Sequence, residues 1–384
     1  MKPRPLIRVD IRSGDPGRLK VIWDDGERRY DPYQIDTDMV VQEAGAIRRK
    51  LSALIRTSMT DPPGQYGPLI KDIARAGREL YDALFYDAGP SEQDVEVVRN
   101  WFNGLQGPHR LSFVVDGYIH VPWHLIYEGA PEQLPDVEAD PAAYESFWCQ
   151  KYLVSCIYRG NTPHSDSDAR SPGRFRLLPV LHKEIFELAR AHMPADEQQA
   201  LTELFNQFGK AIHDRRELID AWQAAGNVNR MLFFFCHANG TTLALNPDDA
   251  ISINDFKKRF AFSKAGASAV ALTFLNGCST AVGQETQGFI EATSRPGHCG
   301  FVGTETEVPN VYALRFGTAF LQCLLETGWP LVEVMDAMRR LHWPLSIVYG
   351  LYGYAGFKIH REPEATAWPI GPNFSRGPIG AAPL

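Results

Sequence analysis

Two apolar runs constrain this chain most. Met231-Leu232-Phe233-Phe234-Phe235 and Ala269-Val270-Ala271-Leu272-Thr273-Phe274-Leu275 show no alternation of polar and apolar residues. A strand with one wet face alternates, whereas one covered on both faces reads as a continuous run. Residues 254–264 lie between the runs and can supply a crossover helix. The same rhythm extends outward. Arg176–Leu181 reads as a strand, 183–192 as a helix, and 197–224 as a longer helical stretch. After the second run come a helical segment at 285–294, a strand at 299–303 and a helix at 311–327. This alternation predicts an α/β protein with a mostly parallel sheet flanked by helices.

The first part of the chain reads differently. Leu6–Ile11 and Leu19–Trp23 flank the turn residues Ser13-Gly14-Asp15-Pro16-Gly17, which predicts a β-hairpin. Amphipathic helices are expected over 38–55, with Val41, Ala44, Ile47, Leu51 and Leu54 on one stripe, and over 69–85. A second hairpin is expected where Leu111–Val115 and Tyr118–Val121 enclose Asp116-Gly117. The predicted organisation is an N-terminal hairpin-plus-helices region over 1–158, a mobile polar loop over 159–174, an α/β region over 175–361, and an extended Pro/Gly-rich tail over 362–384. Arg159, Arg170 and Arg174 make that loop the expected first site of tryptic nicking.

Composition bears on function class. Lys and Arg number 39 against 46 Asp and Glu, so the net charge is −7 and the pI is near 5.9. That balance disfavours nucleic-acid binding through a broad basic face. Six cysteines in 384 residues are too sparse for a disulfide scaffold and fit a reducing, cytoplasmic setting. No apolar signal-peptide region follows Met1-Lys2-Pro3-Arg4-Pro5, and no run is long enough to span a membrane.

In open α/β sheets, ligand sites form beyond the carboxyl ends of the strands. Here the first apolar run leads into Cys236-His237-Ala238-Asn239-Gly240, and the second into Asn276-Gly277-Cys278-Ser279-Thr280. If the two strands are neighbours, His237 and Cys278 share one sheet edge. A free thiol with a pKa of ~8.5 is mostly protonated at neutral pH, and a neighbouring imidazole can take its proton. Gly277 permits a tight turn. A helix starting after Cys278 would direct backbone amides at a thiolate or a developing oxyanion. Cys236 points the opposite way if the strand continues, so it is expected in the core. A zinc site using Cys236, His237, Cys278 and His298-Cys299 lacks the usual ligand spacing, so neither a metal nor any other cofactor is expected.

Phe233–Gly240 followed by Leu275–Thr280 resembles the CHAT domain family of caspase-like cysteine peptidases. Val121–Tyr127, Gly300–Thr304, Phe316–Phe320, Leu324–Gly328 and Val334–Met338 resemble further motifs of that family in the same order. The likeness covers about residues 70–360. It implies a caspase–haemoglobinase fold and a cytosolic endopeptidase. His237 would be the general base and acid, Cys278 the nucleophile, and the backbone at Ala238, Gly277 and Cys278 the oxyanion site. Family members serve prokaryotic regulated proteolysis and antiviral defence, some by cleaving a pore-forming gasdermin. The implied partners are therefore a protein substrate, such as a gasdermin-like pore former, and an activating partner. Neither nucleic acid nor membrane is implied. Two residues depart from the pattern: Ala238 replaces a usual glycine, and His124 a usual glutamate.

In related peptidases the position of Asn276 borders the pocket for the residue before the scissile bond. Asn276 is neutral, so any charge preference must come from elsewhere. Glu305 and Glu307 follow the fourth strand and are the nearest candidates, which predicts a basic residue there, with a small or apolar one as the alternative. A catalytically silent CHAT-like adaptor and a thiol-dependent acyl transferase or deamidase are the competing readings of the whole chain.

Overall fold

The computed structural model describes residues 4–59, 66–86, 92–117, 119–136, 141–158, 175–208, 210–226, 228–239, 241–260, 270–277, 288–295 and 297–359. The chain divides into two compact units, Met1–Arg159 with Trp343–Gly350, and Gly160–His342 with Leu351–Leu384. The expected loop at 159–174 and the expected tail at 362–384 lie outside the described residues.

The first unit runs β1 (Leu6–Ser13), β2 (Arg18–Asp24), β3 (Tyr33–Asp36), α1 (Thr37–Ser58), α2 (Gly67–Phe85), α3 (Glu92–Asn103), β4 (Arg110–Val115), α4 (Trp148–Lys151) and β5 (Leu153–Tyr158). Its strand order is β3-β2-β1-β4-β5. The first hairpin forms as read, β1 and β2 pairing antiparallel. Asp36 accepts the Met39 amide at 3.1 Å and so caps α1. The buried stripe of α1 is Val40, Ala44, Ile47, Leu51 and Leu54, and Val41 is exposed. That register keeps the four-then-three spacing of one helical face, which a stripe starting at Val41 breaks.

The second hairpin does not form. β4 pairs in parallel with β1 on one side and β5 on the other, so both its edges are occupied. Residues 119–122 lie outside any strand. The carbonyls of Ile119 and His120 accept instead from Tyr158 Oη at 3.2 Å and from Arg48 at 2.8 Å. Asp116-Gly117 is turn chemistry, but with β1 and β5 on the two edges of β4 no edge is left for a hairpin partner.

The second unit runs β6 (Phe175–Leu181), α5 (Lys183–Ala191), α6 (Ala195–Phe208), α7 (Arg215–Ala224), β7 (Asn229–Phe235), β8 (His237–Ala238), β9 (Thr242–Asn246), β10 (Asp249–Ser252), α8 (Ile253–Arg259), β11 (Ala271–Asn276), α9 (Phe289–Thr293), β12 (His298–Thr304), α10 (Asn310–Thr327) and α11 (Leu331–Leu341). β13 (Tyr349–Gly353) begins in the first unit and ends beside β12. The order is β13-β12-β11-β7-β6, and the pairings β6–β7, β7–β11 and β11–β12 are parallel. The chain is thus an α/β protein with a mostly parallel sheet flanked by helices.

The apolar runs behave as strands covered on both faces. Phe233 meets Phe205 of α6, and Phe235 meets Phe186 of α5, whereas Phe234 between them meets Phe256 of α8. The helical stretch at 197–224 is two helices. Between them Ile212 donates its amide to Pro179 at 2.8 Å and accepts from Leu181 at 2.9 Å, lying along the outer edge of β6. Asp214 then caps α7 by accepting the Glu217 amide at 2.7 Å. Proline fits β6 because that strand is an edge. Among the described residues, no helix is long and apolar enough to cross a membrane.

Candidate active site

The carboxyl ends of β7 and β11 are neighbours. Their register aligns Phe235 with Asn276, the last residue of each strand. Beyond β7, Cys236 is buried and His237 is exposed, the opposed directions expected of successive extended residues. His237 and Ala238 form β8, which pairs antiparallel with β9 as His237–Ala244 and Ala238–Leu243. β9 pairs in turn with β10. Asn239 closes the turn by accepting the Thr241 and Thr242 amides at 3.1 and 2.9 Å. The side chain of Ala238 is compatible with this site, because the residue lies in an extended strand that does not require glycine.

Two further histidines gather at this edge, and neither stands out in the sequence. His182 follows β6, and its amide donates to Phe235 O at 2.8 Å. Its ring packs edge-on against the His237 ring, with centroids 5.8 Å apart and planes at 69°. Burial pushes the His182 pKa down, and the charge of His237 adds to the effect. His213 Nδ1 lies 2.6 Å from Leu181 O and donates to it, while Asn246 of β9 donates to His213 O at 3.1 Å. The periodicity of the strands gives no hint of this cluster, because the three histidines come from three separate segments of the chain.

Beyond β11 the chain is fixed on two sides. Asn276 is 2% exposed and donates through Nδ2 to Ala313 O of α10 at 2.5 Å. Thr304, at the end of β12, donates through Oγ1 to Gly277 O. Gly317 on α10 supplies the room: a β-carbon there would sit 2.7 Å from Asn276 Nδ2 and 2.9 Å from Phe233 Cζ. Cys278 lies outside the described residues, as do 279–287.

The predicted specificity residues part company. Asn276 turns its amide into α10 rather than toward solvent. Glu305 is 1% exposed, whereas Glu307 is exposed. They are not a matched pair of carboxylates on one wall. His124, the other departure from the family pattern, is buried, and its Nε2 lies 3.0 Å from Ile347 O.

The described cysteines, Cys149, Cys156, Cys236, Cys299 and Cys323, are all buried. Burial pushes the Cys299 thiol up, and that of Cys323 up to about 11, so neither ionises at neutral pH. Among the described residues, no group of three or more His, Cys, Asp or Glu side chains could hold a metal ion.

No family model matches the chain, and no curated protein matches it. The resemblance to the CHAT family therefore rests on the motif residues alone. Among solved structures, the complex of the pro- and mature domains of RgpB from Porphyromonas gingivalis matches with a TM-score of 0.42. It is 10% identical and covers 77% of this chain and 78% of that one. At that level of likeness the functional reading stays with the chain's own residues.

Proposed function

We propose that this protein is a cysteine endopeptidase in which Cys278 is the nucleophile and His237 the general base and acid. The supporting observation is the register of two neighbouring parallel strands. Phe235 and Asn276 are paired, and His237 and Cys278 are each the second residue beyond that pair. The anchoring of Asn276 on α10 and of Gly277 on Thr304 suits a rigid base for a nucleophile-bearing turn.

In this reading His237 removes the Cys278 proton, and the thiolate attacks the scissile carbonyl carbon. The developing oxyanion takes backbone amides at Ala238, Gly277 and Cys278. His237 then protonates the leaving amine, and water hydrolyses the thioester. His182 backs the His237 ring on the side of β6. The residue before the scissile bond is read as basic, recognised through Glu307 and Glu305. The resemblance extends the proposal to a cytoplasmic role in prokaryotic regulated proteolysis or antiviral defence, with a gasdermin-like pore former as substrate and an activating partner upstream.

The test is proteome-wide mapping of cleavage sites with wild type and Cys278→Ala. Cleavage is expected to vanish in the variant while its melting temperature is retained. Cleavage that persists in Cys278→Ala rejects the nucleophile. Absence of cleavage by wild type under all conditions favours the adaptor reading. Alkylation of Cys278 against pH should inflect below the free-thiol value of ~8.5 and return toward it in His237→Ala. Identical profiles would separate the two residues.

A further inference from the structure

Away from His237, the first turn of α7 and the end of α8 enclose a cleft of about 240 Å³ lined by Arg215, Arg216, Ile219, Asp255 and Arg259. Three arginines around one small cleft are unexpected in a chain of net charge −7. Arg215 is already engaged. Its amide donates to Asp249 Oδ2 at 2.6 Å, and its guanidinium lies 3.7 Å from Asp249 and 3.6 Å from Asp255. Among the described residues Arg216 and Arg259 have no carboxylate partner. Asp255 is itself occupied, accepting from Ser252 Oγ at 2.9 Å as part of the α8 cap.

Three arginines thus stand against two carboxylates, Asp255 in the lining and Asp249 beside Arg215, a surplus of one positive charge that lies with Arg216 and Arg259. A phosphate monoester carries nearly two negative charges at neutral pH and presents oxygens that match the guanidinium fork. The N-terminus of α7 adds nothing here, because Asp214 and Asp249 already accept its Glu217 and Arg215 amides, so the guanidinium groups alone make the site. Ile219 gives the cleft an apolar wall, against which the carbon part of such a ligand can rest. The cleft is also tied to the candidate active site. Arg215 holds Asp249, the first residue of β10, and β10 pairs with β9, whose Ala244 pairs with His237.

We propose that this cleft, which Arg215 also lines, is a binding site for a small phosphate-bearing ligand held by Arg216 and Arg259. Binding is independent of the peptidase reading and is measured without activity.

The experiment is calorimetric titration of the full chain with inorganic pyrophosphate, and with sulfate and citrate in parallel. Pyrophosphate is expected to bind saturably, and more tightly than sulfate or citrate. The Arg216→Ala/Arg259→Ala double variant is expected to weaken it by at least ~10-fold. Both side chains are exposed, so the melting temperature should hold. An Arg49→Ala/Lys50→Ala pair on α1 removes the same charge elsewhere and should leave the affinity unchanged. The proposal is overturned by absence of saturable pyrophosphate binding, by equal affinity in the cleft double variant, by equal losses in the α1 pair, or by citrate binding as tightly as pyrophosphate.

Discussion

Asn276 holds the end of β11 to α10 by donating to the Ala313 carbonyl from a side chain that is almost wholly buried. An aspartate there would aim a carboxylate oxygen at a carbonyl oxygen, with no water to screen it. Asn276→Asp is therefore expected to lose about 3 kcal/mol or more at pH 7. Burial and the facing carbonyl raise the folded-state pKa of the new acid, so it folds most readily when protonated and able to donate. The loss relative to wild type should shrink as pH falls from 7 to 4. Urea unfolding of both proteins across that range measures it. A pH-independent difference would mean that the side chain at 276 does not face the helix backbone. Glu307, exposed after β12, is the better candidate for tuning substrate charge. Glu307→Gln should lower kcat/KM for Arg-containing substrates more than for Leu ones. Equal kcat/KM for the two in wild type and variant would remove the charged pocket from the reading.

Gly317 sets two effects at the scale of an element against each other. Alanine in the middle of an 18-residue helix normally gains about 1 kcal/mol over glycine. At this position the new methyl would meet Asn276 Nδ2 at 2.7 Å and the Phe233 ring at 2.9 Å. Asn276 is held by Ala313 and Phe233 by its strand, so neither yields cheaply, and overpacking costs about 1–3 kcal/mol. Packing wins: Gly317→Ala should lower the urea midpoint, whereas a midpoint that rises would show α10 free to shift. The same contest explains what the sequence disclosed. Phe233–Phe235 and Leu272–Leu275 were legible as buried strands because burial on both faces leaves a compositional mark on each residue. The hairpin β9–β10, which holds His237, left none: Thr242–Asn246 is a short alternation, and its role comes from pairing with two residues of β8. Likewise, Leu111–Val115 was recognisable as a strand, but its partners were not. Parallel pairing with β1 depends on contacts about a hundred residues apart, which no local turn signal encodes.

At the scale of the whole molecule, buried histidines tie the fold to pH. Burial holds His120, His298 and His342 down at about 4, the neighbouring Arg48, Arg295 with Arg230, and Arg315 adding to the effect. In the unfolded chain each would titrate near ~6.5. The unfolded state therefore binds more protons between those values, and stability must fall as pH falls through that window. Each group contributes up to about 1.4 kcal/mol per pH unit there. The three histidines have different charged neighbours, so their effects should add. Total stabilities of about 5–15 kcal/mol leave little margin against three such groups. Between pH 6.5 and 5 few carboxylates titrate, so histidine dominates the slope. The urea midpoint of wild type should decline steeply over that interval. His298 donates through Nε2 to Phe260 O at 2.9 Å, so His298→Asn will destabilise at every pH; the informative quantity is the slope, not the level. That slope should drop by at most about a third, since His182, also held down by burial, contributes beside the three. A wild-type midpoint that stays flat from pH 6.5 to 5, or an unchanged slope in His298→Asn, would show that these imidazoles protonate without cost to the fold.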